Sequence, residues 1–444
     1  MTPARTICLG FGVVILVGAV LLMLPFATVS GEWSDPITAL FISTSAVCVT
    51  GLSVVNVGEY YSFWGQLTLL LLVQVGGLGY MTTSSMLLLL VGKRFSLREK
   101  ITLQHALDTP GLQGALPLVR SIIGITLIFE LSGVFLLLLV FVPQLGWTAG
   151  LWQSIFHSVS AFNNAGFSLF ANSLENYRQS LLLNGTIAIL IVLGGIGYQV
   201  IFEVFLWIQS RWRGGREMLL FSLSTKVAVS TTAVLLAAGM IAILLTEFNN
   251  PGTLQPLNWG DKVMAAWFQS VTARTAGFNT INNGNMTQAG LFFTIALMFV
   301  GASPGGTGGG IKTTTTRILL NCTKAGVLGI EQITLFARQI PHHLVVKATS
   351  VAVGSLLVVI ASTSFLVLTE PKESFINLFF ESMSAFGTVG LSTGITGRIS
   401  PWGQLTIIGT MYIGRVGVLL LISALYGRQR PTLIRYPEDT LLVG

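Results

Sequence analysis

FISTSAVCVTGLS at residues 41–53 is the first of four segments of one shape, followed by FHSVSAFNNAGFS (156–168), WFQSVTARTAGFN (267–279) and FESMSAFGTVGLS (380–392). Each opens near an aromatic residue (Phe41, Phe156, Trp267, Phe380), continues through small hydroxyl residues, and reaches a glycine ten residues later. Those glycines are Gly51, Gly166, Gly277 and Gly390, each followed by an apolar residue, at spacings of 115, 111 and 113. Self-similarity at a nearly constant period identifies a chain built from one repeated unit.

Two apolar runs flank every copy: 6–28 and 63–92, 117–142 and 181–209, 222–247 and 287–318, and 343–369 and 401–426. Each run has the roughly 20 residues needed to cross the hydrocarbon layer. The segment between them is too short and too polar to cross. It therefore reads as a re-entrant half-helix followed by an extended strand, which is tolerated at membrane depth only inside protein or beside a water-filled cavity. The expected fold is an all-α integral membrane protein with four pseudo-fourfold helix–pore loop–helix repeats around one central pore. The repeats are 6–92 (pore loop 36–55), 117–209 (150–170), 222–318 (259–281, second helix broken at 303–313) and 343–426 (373–395), with a cytoplasmic tail at 427–444.

Composition agrees with this reading. Only 9% of the 444 residues are charged and 52% are hydrophobic, whereas a soluble chain carries about 25% charged residues. The net charge of +7 does not point to nucleic acid, because the basic residues are unevenly placed. Seventeen of the 24 lie at Arg5 or in the linkers 93–120, 211–226, 317–347 and 428–435, in clusters such as Lys93-Arg94-Arg98-Lys100, Arg211-Arg213-Arg216 and Arg428-Arg430-Arg435. The alternate loops hold eight acids: Glu32, Asp35, Glu59, Glu175, Glu247, Asp261, Glu370 and Glu373. By the positive-inside rule this split places both termini in the cytoplasm, in a multi-pass protein of the cell's inner (plasma) membrane. The first apolar run lacks a small-residue cleavage site and reads as a retained helix. Cys8, Cys48 and Cys322 have neither metal-ligand spacing nor a disulfide pattern.

A dehydrated cation needs a cage of oxygens, and consecutive backbone carbonyls of an extended loop provide one. Glycine lets such a carbonyl turn without a Cβ clash. The candidate carbonyl donors are Val49-Thr50-Gly51, Asn164-Ala165-Gly166, Thr275-Ala276-Gly277 and Thr388-Val389-Gly390. The half-helices would aim their negative C-terminal ends at the ion, and outer acids would raise the local cation concentration.

On these features the chain resembles the membrane subunit of the Trk/Ktr/HKT superfamily of potassium transporters, most like the bacterial Ktr type, over residues 6–426. In that family a serine in place of the first filter glycine accompanies sodium selectivity, so Gly51 implies potassium. The resemblance also implies potassium uptake that includes sodium-stimulated members, no covalently bound cofactor, and no metal other than potassium in the pore. It further implies a homodimer resting on a cytosolic ring that binds nucleotide. The chain has no G-x-G-x-x-G nucleotide domain, so nucleotide is expected on that partner chain only. The basic linkers and tail are its expected contacts, with anionic lipid headgroups as the alternative.

The second spans contain glycine clusters: Gly76-Gly77-Leu78-Gly79, Gly194-Gly195-Ile196-Gly197 and, in the fourth copy, Gly414-Arg415-Val416-Gly417. Arginine at the centre of a spanning helix costs roughly 2.5–3.5 kcal/mol on insertion scales. Arg415 is thus expected to face the pore or a buried acid, with Glu130 and Glu203 as candidate partners; snorkelling to an interface is the alternative. The third copy carries GASPGGTGGGIKTTTT (301–316), where Pro304 and Gly305, Gly306, Gly308, Gly309 and Gly310 cannot sustain a helix. The stretch lacks the Gly-Lys-Ser/Thr ending of a phosphate-binding loop, since Ile311 precedes Lys312. In the family such an intramembrane loop is the gate, so the resemblance assigns that role to Gly305, Gly306, Thr307, Gly308, Gly309, Gly310 and Lys312, with Arg415 as a positive obstruction. Lys312 and the hydroxyls of residues 313–316 are expected to latch the closed state to acids or carbonyls.

Arg274 is expected behind the filter, paired with an acid or with pore-helix carbonyls. His157 reads as a packed pore-helix residue, and His342 and His343 as solvated linker residues. Two rival functions remain. A secondary cation symporter with alternating access also uses broken helices, but usually as two inverted repeats rather than four in one direction. An intramembrane enzyme would need a nucleophile–base pair or a metal motif such as HExxH, and the sequence has neither.

Overall fold

The computed structural model describes residues 3–79, 115–212, 221–330 and 332–426. Repeat 1 consists of α1 (Pro3–Met23), the pore helix α2 (Pro36–Val47), the one-turn α3 (Val57–Tyr60) and α4 (Phe63–Leu78). Repeat 2 consists of α5 (Ala115–Leu145), the pore helix α6 (Trp147–Phe162), α7 (Leu181–Ile196) and α8 (Tyr198–Trp212). Repeat 3 has α9 (Leu223–Glu247), the pore helix α10 (Trp259–Thr272), α11 (Gln288–Phe299) and α12 (Thr313–Val327). Repeat 4 has α13 (His342–Thr369), the pore helix α14 (Phe375–Gly387), α15 (Pro401–Val416) and α16 (Val418–Tyr426). A small hairpin, β1 (Thr334–Leu335) and β2 (Arg338–Gln339), joins the third repeat to the fourth. His342 and His343 are exposed in the first turn of α13.

The repeat is legible down to its caps. The second spans begin at Ser62, Ser180, Thr287 and Ser400, whose hydroxyls accept from the N–H three residues on. Such a cap satisfies a donor that the helix itself leaves open. In repeats 3 and 4 an acid at the end of the first span secures the cap from behind. Glu247 Oε1 accepts from the Thr287 N–H (3.0 Å) and hydroxyl (2.6 Å); Glu370 accepts from the Ser400 N–H (2.9 Å) and hydroxyl.

Among the described residues four helices are long and apolar enough to cross a membrane, or six if each of two bent pairs counts as one span. The four are the first spans of the repeats. Their outer faces expose residues such as Val13, Leu16 and Val20 on α1 and Val353, Leu357 and Ile360 on α13, the surface that hydrocarbon covers. Their inner faces are small. A Cβ on Gly18, Gly133 or Gly239 would meet a pore-helix serine hydroxyl and come within 2.6–2.9 Å of Leu72, Leu190 or Leu297 of the second span. Those serines donate across to the first span: Ser43 to Ile15 O (2.7 Å), Ser158 to Glu130 O (2.6 Å) and Ser270 to Leu236 O (2.8 Å). Repeat 4 replaces the motif with a hydroxyl chain, Ser382–Ser362 (3.2 Å) and Ser362–Thr410 (2.9 Å). Each such hydrogen bond contributes about 0.5–1.5 kcal/mol; together they hold every pore helix against its own first span.

The second spans differ from the sequence expectation. A break is expected only in the third, at 303–313, whereas the helix there is interrupted over 300–312 and the second and fourth copies are interrupted too. Helices α7 and α8 meet at 103°, and α15 and α16 at 94°. The hinges are Gly197 (φ 97, ψ 137) and Gly417 (φ 90, ψ 137), and α4 ends on the matching Gly79 (φ 78, ψ 136). This backbone region is essentially confined to glycine, and it turns the chain sharply where a single span is expected. The expected continuation of the first repeat to residue 92, the basic residues at 93–100, Arg213, Arg216, Arg428, Arg430 and Arg435, and the tail at 427–444 lie outside the described residues. Cys8 and Cys48 are buried and Cys322 is half-buried, all as free thiols.

Candidate functional site

Each pore helix ends by throwing its chain into a strand with an unusual backbone. Val49, Asn164, Thr275 and Thr388 have φ of 56, 59, 72 and 48, and Gly51, Gly166, Gly277 and Gly390 have φ of 90, 68, 81 and 91. The residue between each pair has negative φ. An ordinary strand points successive carbonyls to opposite sides; alternating the sign of φ turns them toward one side. Left-handed geometry at a β-branched Val or Thr costs about 1–3 kcal/mol, so the surroundings must hold it. The N–H groups of Thr50, Ala165 and Val389 donate back to Ser45 O, Ser160 O and Ser384 O at 2.7, 2.7 and 2.8 Å, and Ala276 donates to Thr272 O at 3.0 Å. The donors are thereby spent on the pore helices, and the carbonyls are left for the opposite side.

The four strands close into a ring. A Cβ on Gly51 would strike Ala165 O; on Gly166, Ala276 O (2.5 Å); on Gly277, Val389 O (2.5 Å); and on Gly390, Thr50 O. The contacts run from repeat 1 to 2, 3, 4 and back to 1. No side chain fits at any of the four positions. Asn164 stitches two neighbouring strands: with its amide turned to satisfy both ends, it donates to Ile191 O (3.0 Å) and Ala161 O (3.2 Å) and accepts from Thr275 Oγ1 (3.2 Å).

The third repeat is one residue out of step. In repeats 1 and 4 the serine six residues before the glycine, Ser45 or Ser384, accepts from the glycine N–H, and Ser160 in the same place donates to Phe167 O. In repeat 3 the equivalent bond runs from Thr272, five residues before Gly277, to Phe278 O (2.8 Å). The fully buried aromatic matching Phe41, Phe156 and Phe380 is accordingly Phe268. The sequence landmark Trp267 is corrected by one position, because the turn between pore helix and strand is one residue shorter.

The 300–312 loop is pinned beneath this ring. Thr307 N–H donates to Gly194 O (3.0 Å), Ser303 N–H to Gly195 O (2.9 Å), and Tyr198 N–H to Gly305 O (3.2 Å). Gly309 N–H donates to Thr388 Oγ1 (3.0 Å), and a Cβ on Gly308 would meet the Thr275 side chain. A Cβ on Gly306 would meet Gly195 O, and Gly310 sits against Gly387. Lys312 Nζ donates to Gly308 O (2.7 Å), and Ser303 and Thr313 join their hydroxyls at 2.8 Å. Lys312 thus grips the loop itself rather than an acid.

Arg415 completes the arrangement from the fourth repeat, donating to Thr307 O and to Gly76 O of the first. The loop is thus tied to the second and fourth repeats directly and, through Arg415, to Gly76 of the first. The expected acid partners are corrected: Glu130 accepts from Asn163 (3.0 Å) and Glu203 from Ser222 N–H (3.0 Å), and Arg415 relies on backbone carbonyls. Arg274 lies behind its strand, 8% exposed, and reaches Gly301 O (3.3 Å) at the root of the loop, neither an acid nor a pore-helix carbonyl. His157 is fully buried in its pore helix. Sequence reasoning missed Gly197 and Gly417 as hinges, although their shared place in the glycine clusters was a signal. It also missed Gly76 and Thr307 as acceptors, for which no signal exists, since every residue has a carbonyl.

A helical membrane fold of four like repeats, with a ring of strained glycine strands at its centre, is the architecture of a cation-transport protein rather than an enzyme. The chain belongs to the TrkH family of cation transport proteins, whose model matches residues 11–425. It is 39% identical over 444 residues to the Ktr system potassium uptake protein B of Bacillus subtilis (strain 168), covering 100% of this chain and 97% of that one. It is 37% identical over 449 residues to the potassium/sodium uptake protein NtpJ of Enterococcus hirae, covering 100% of this chain and 98% of the relative. The fold matches the crystal structure of the potassium transporter TrkH from Vibrio parahaemolyticus with a TM-score of 0.72 and 19% identity, over 94% of this chain and 85% of that one.

Proposed function

We propose that this chain takes up potassium through one channel-like pore. Its selectivity ring is the backbone of Val49, Thr50 and Gly51, Asn164, Ala165 and Gly166, Thr275, Ala276 and Gly277, and Thr388, Val389 and Gly390. The observation that carries the reading is the closed cycle of glycine–carbonyl contacts from Gly51 round to Gly390. A ring of inward carbonyls replaces the water shell of a cation, and four pore helices ending on it add the negative ends of their dipoles. Full-length relatives named for potassium uptake, one of them for potassium and sodium, support potassium as cargo and sodium as a stimulant.

The gate in this reading is the loop containing Gly305 to Gly310 and Lys312, held shut by Arg415. Ions pass only when the loop leaves the axis. The remaining parts of the proposal rest on the Ktr likeness: a homodimer with one pore per chain, both termini cytoplasmic in the cell membrane, potassium as the only bound metal, and regulation by a separate cytosolic nucleotide-binding ring. The test is potassium uptake by a bacterial strain lacking its own high-affinity systems, with and without sodium. Growth at micromolar potassium only when the chain is expressed supports the reading; absence of uptake by well-expressed protein overturns it.

A further inference from the structure

Three pore-helix positions carry a polar side chain behind the filter, where the fourth carries an apolar one. Counting three residues back from Ser45, Ser160, Thr272 and Ser384 gives Ile42, His157, Gln269 and Glu381. Two residues beyond the filter glycines stand Ser53, Ser168, Asn279 and Ser392. The two sets meet. His157 Nε2 lies 3.0 Å from Ser168 Oγ. Its Nδ1 faces Gln153 O at 2.9 Å, so a neutral ring carries its proton there and Nε2 accepts from the serine. Glu381, fully buried, accepts from Ser392 Oγ through Oε1, while Thr396 Oγ1 lies 3.1 Å from its Oε2 and 2.8 Å from Ser392 Oγ. Gln269 reaches Asn279 through one intermediary, donating to Asn283 Oδ1 (2.8 Å), whose amide donates to Asn279 Oδ1 (3.0 Å). Ser53, opposite Ile42, has no such partner and turns its hydroxyl to Val55 O.

Resting on the potassium-pore reading, we propose that Glu381 is a specificity-determining positioning residue, fixing the outer end of the fourth filter strand by accepting the Ser392 hydroxyl; His157 does the same for Ser168 in the second repeat. A side chain that only filled space behind the filter would need no acceptor. These two face the same serine position in alternate repeats, with the serine oxygen in turn accepting from Phe170 N–H (3.1 Å) or Gly394 N–H (2.9 Å). The bond therefore fixes the strand's exit turn. Discrimination between two cations of one charge depends on how firmly the carbonyl ring keeps its geometry, and a strand released at one end relaxes around the smaller ion.

The test compares Ser392→Ala, Glu381→Gln, Glu381→Leu and the double variant Glu381→Leu/Ser392→Ala in liposomes, reading potassium and sodium fluxes from the same preparation. Wild-type chain must first carry potassium in preference to sodium; if it does not, the pore reading itself fails before any variant is compared. Ser392→Ala is expected to lower the potassium/sodium flux ratio at least threefold while potassium flux persists. Glu381→Gln, which keeps an acceptor oxygen, should stay within twofold of wild type. Glu381→Leu should lower the ratio at least as far as Ser392→Ala, since Thr396 also loses its acceptor, and the double variant should fall short of the sum of the two losses, because the bond they share is lost once. A normal ratio in Ser392→Ala, additive losses in the double variant, or a Gln variant as poor as the Ala variant overturns the proposal. Should Glu381→Leu elute aggregated from a sizing column, Ser392→Ala and Glu381→Gln decide alone.

Discussion

Arg415 donates to the carbonyl of Thr307, joining the second span of the fourth repeat to the middle of the third-repeat loop. Its other terminal nitrogen holds Gly76 O of the first repeat. The only ion pair among the described residues is Arg398–Glu373, at 3.5 Å. Among the described residues Arg415 is therefore a half-buried cation held by carbonyl dipoles rather than by an acid, and its bond to Thr307 O lasts only while the loop keeps this position.

Removing this clasp is expected to favour the open pore. A hydrogen bond to a charged group contributes about 1.5–3 kcal/mol, and about 1.4 kcal/mol is tenfold in an equilibrium. Arg415→Ala should accordingly raise basal potassium flux in liposomes roughly tenfold or more, provided the protein still elutes as a single species. A well-folded variant with lower flux would show that the arginine assists ions.

Deleting residues 305–310 should have the same sign and a larger effect, because the chain would no longer reach across the axis. Transport by the deletion variant should lose most of its dependence on any activating partner or sodium. Equal fluxes with and without the segment would leave the loop a packing element only.

At the filter, Gly51→Ser should weaken selection of potassium over sodium. The new Cβ falls on Ala165 O, so the carbonyl must move off its place in the ring. Sodium should compete with potassium for uptake in the variant and fail to do so in the wild type. Unchanged competition would remove Gly51 from the filter.

The hinges offer a test that does not involve ions. Gly417 has φ 90 and open space where a Cβ would sit, while Gly409 has the same open space inside α15. Gly417→Ala should lower stability by about 1–3 kcal/mol through backbone strain alone, read as a lower unfolding temperature in detergent. Gly409→Ala should be neutral or raise it, because alanine favours a helix by about 0.5–1 kcal/mol over glycine. Equal temperatures for the two variants would mean that the bend at Gly417 is not maintained.

The sequence by itself determined the helical membrane class, the first spans and the recurring glycines, because each rests on a local demand. Apolar length answers to the thickness of hydrocarbon, and a recurring glycine answers to a backbone that no side chain permits. Tertiary structure decided what those rules leave open. The third repeat's one-residue slip, which exchanges Trp267 for Phe268, shows only in which hydroxyl meets the strand. Gly197 and Gly417 became hinges by taking a positive-φ backbone, Gly197 with Pro304 O of the loop where a Cβ would sit; glycines in such clusters are otherwise compatible with a straight helix. Arg415 chose Thr307 and Gly76 over Glu130 and Glu203 because folding brings those carbonyls within reach and gives the acids other donors. A backbone carbonyl carries no mark in a sequence, so a cation that depends on carbonyls finds its partners only in three dimensions.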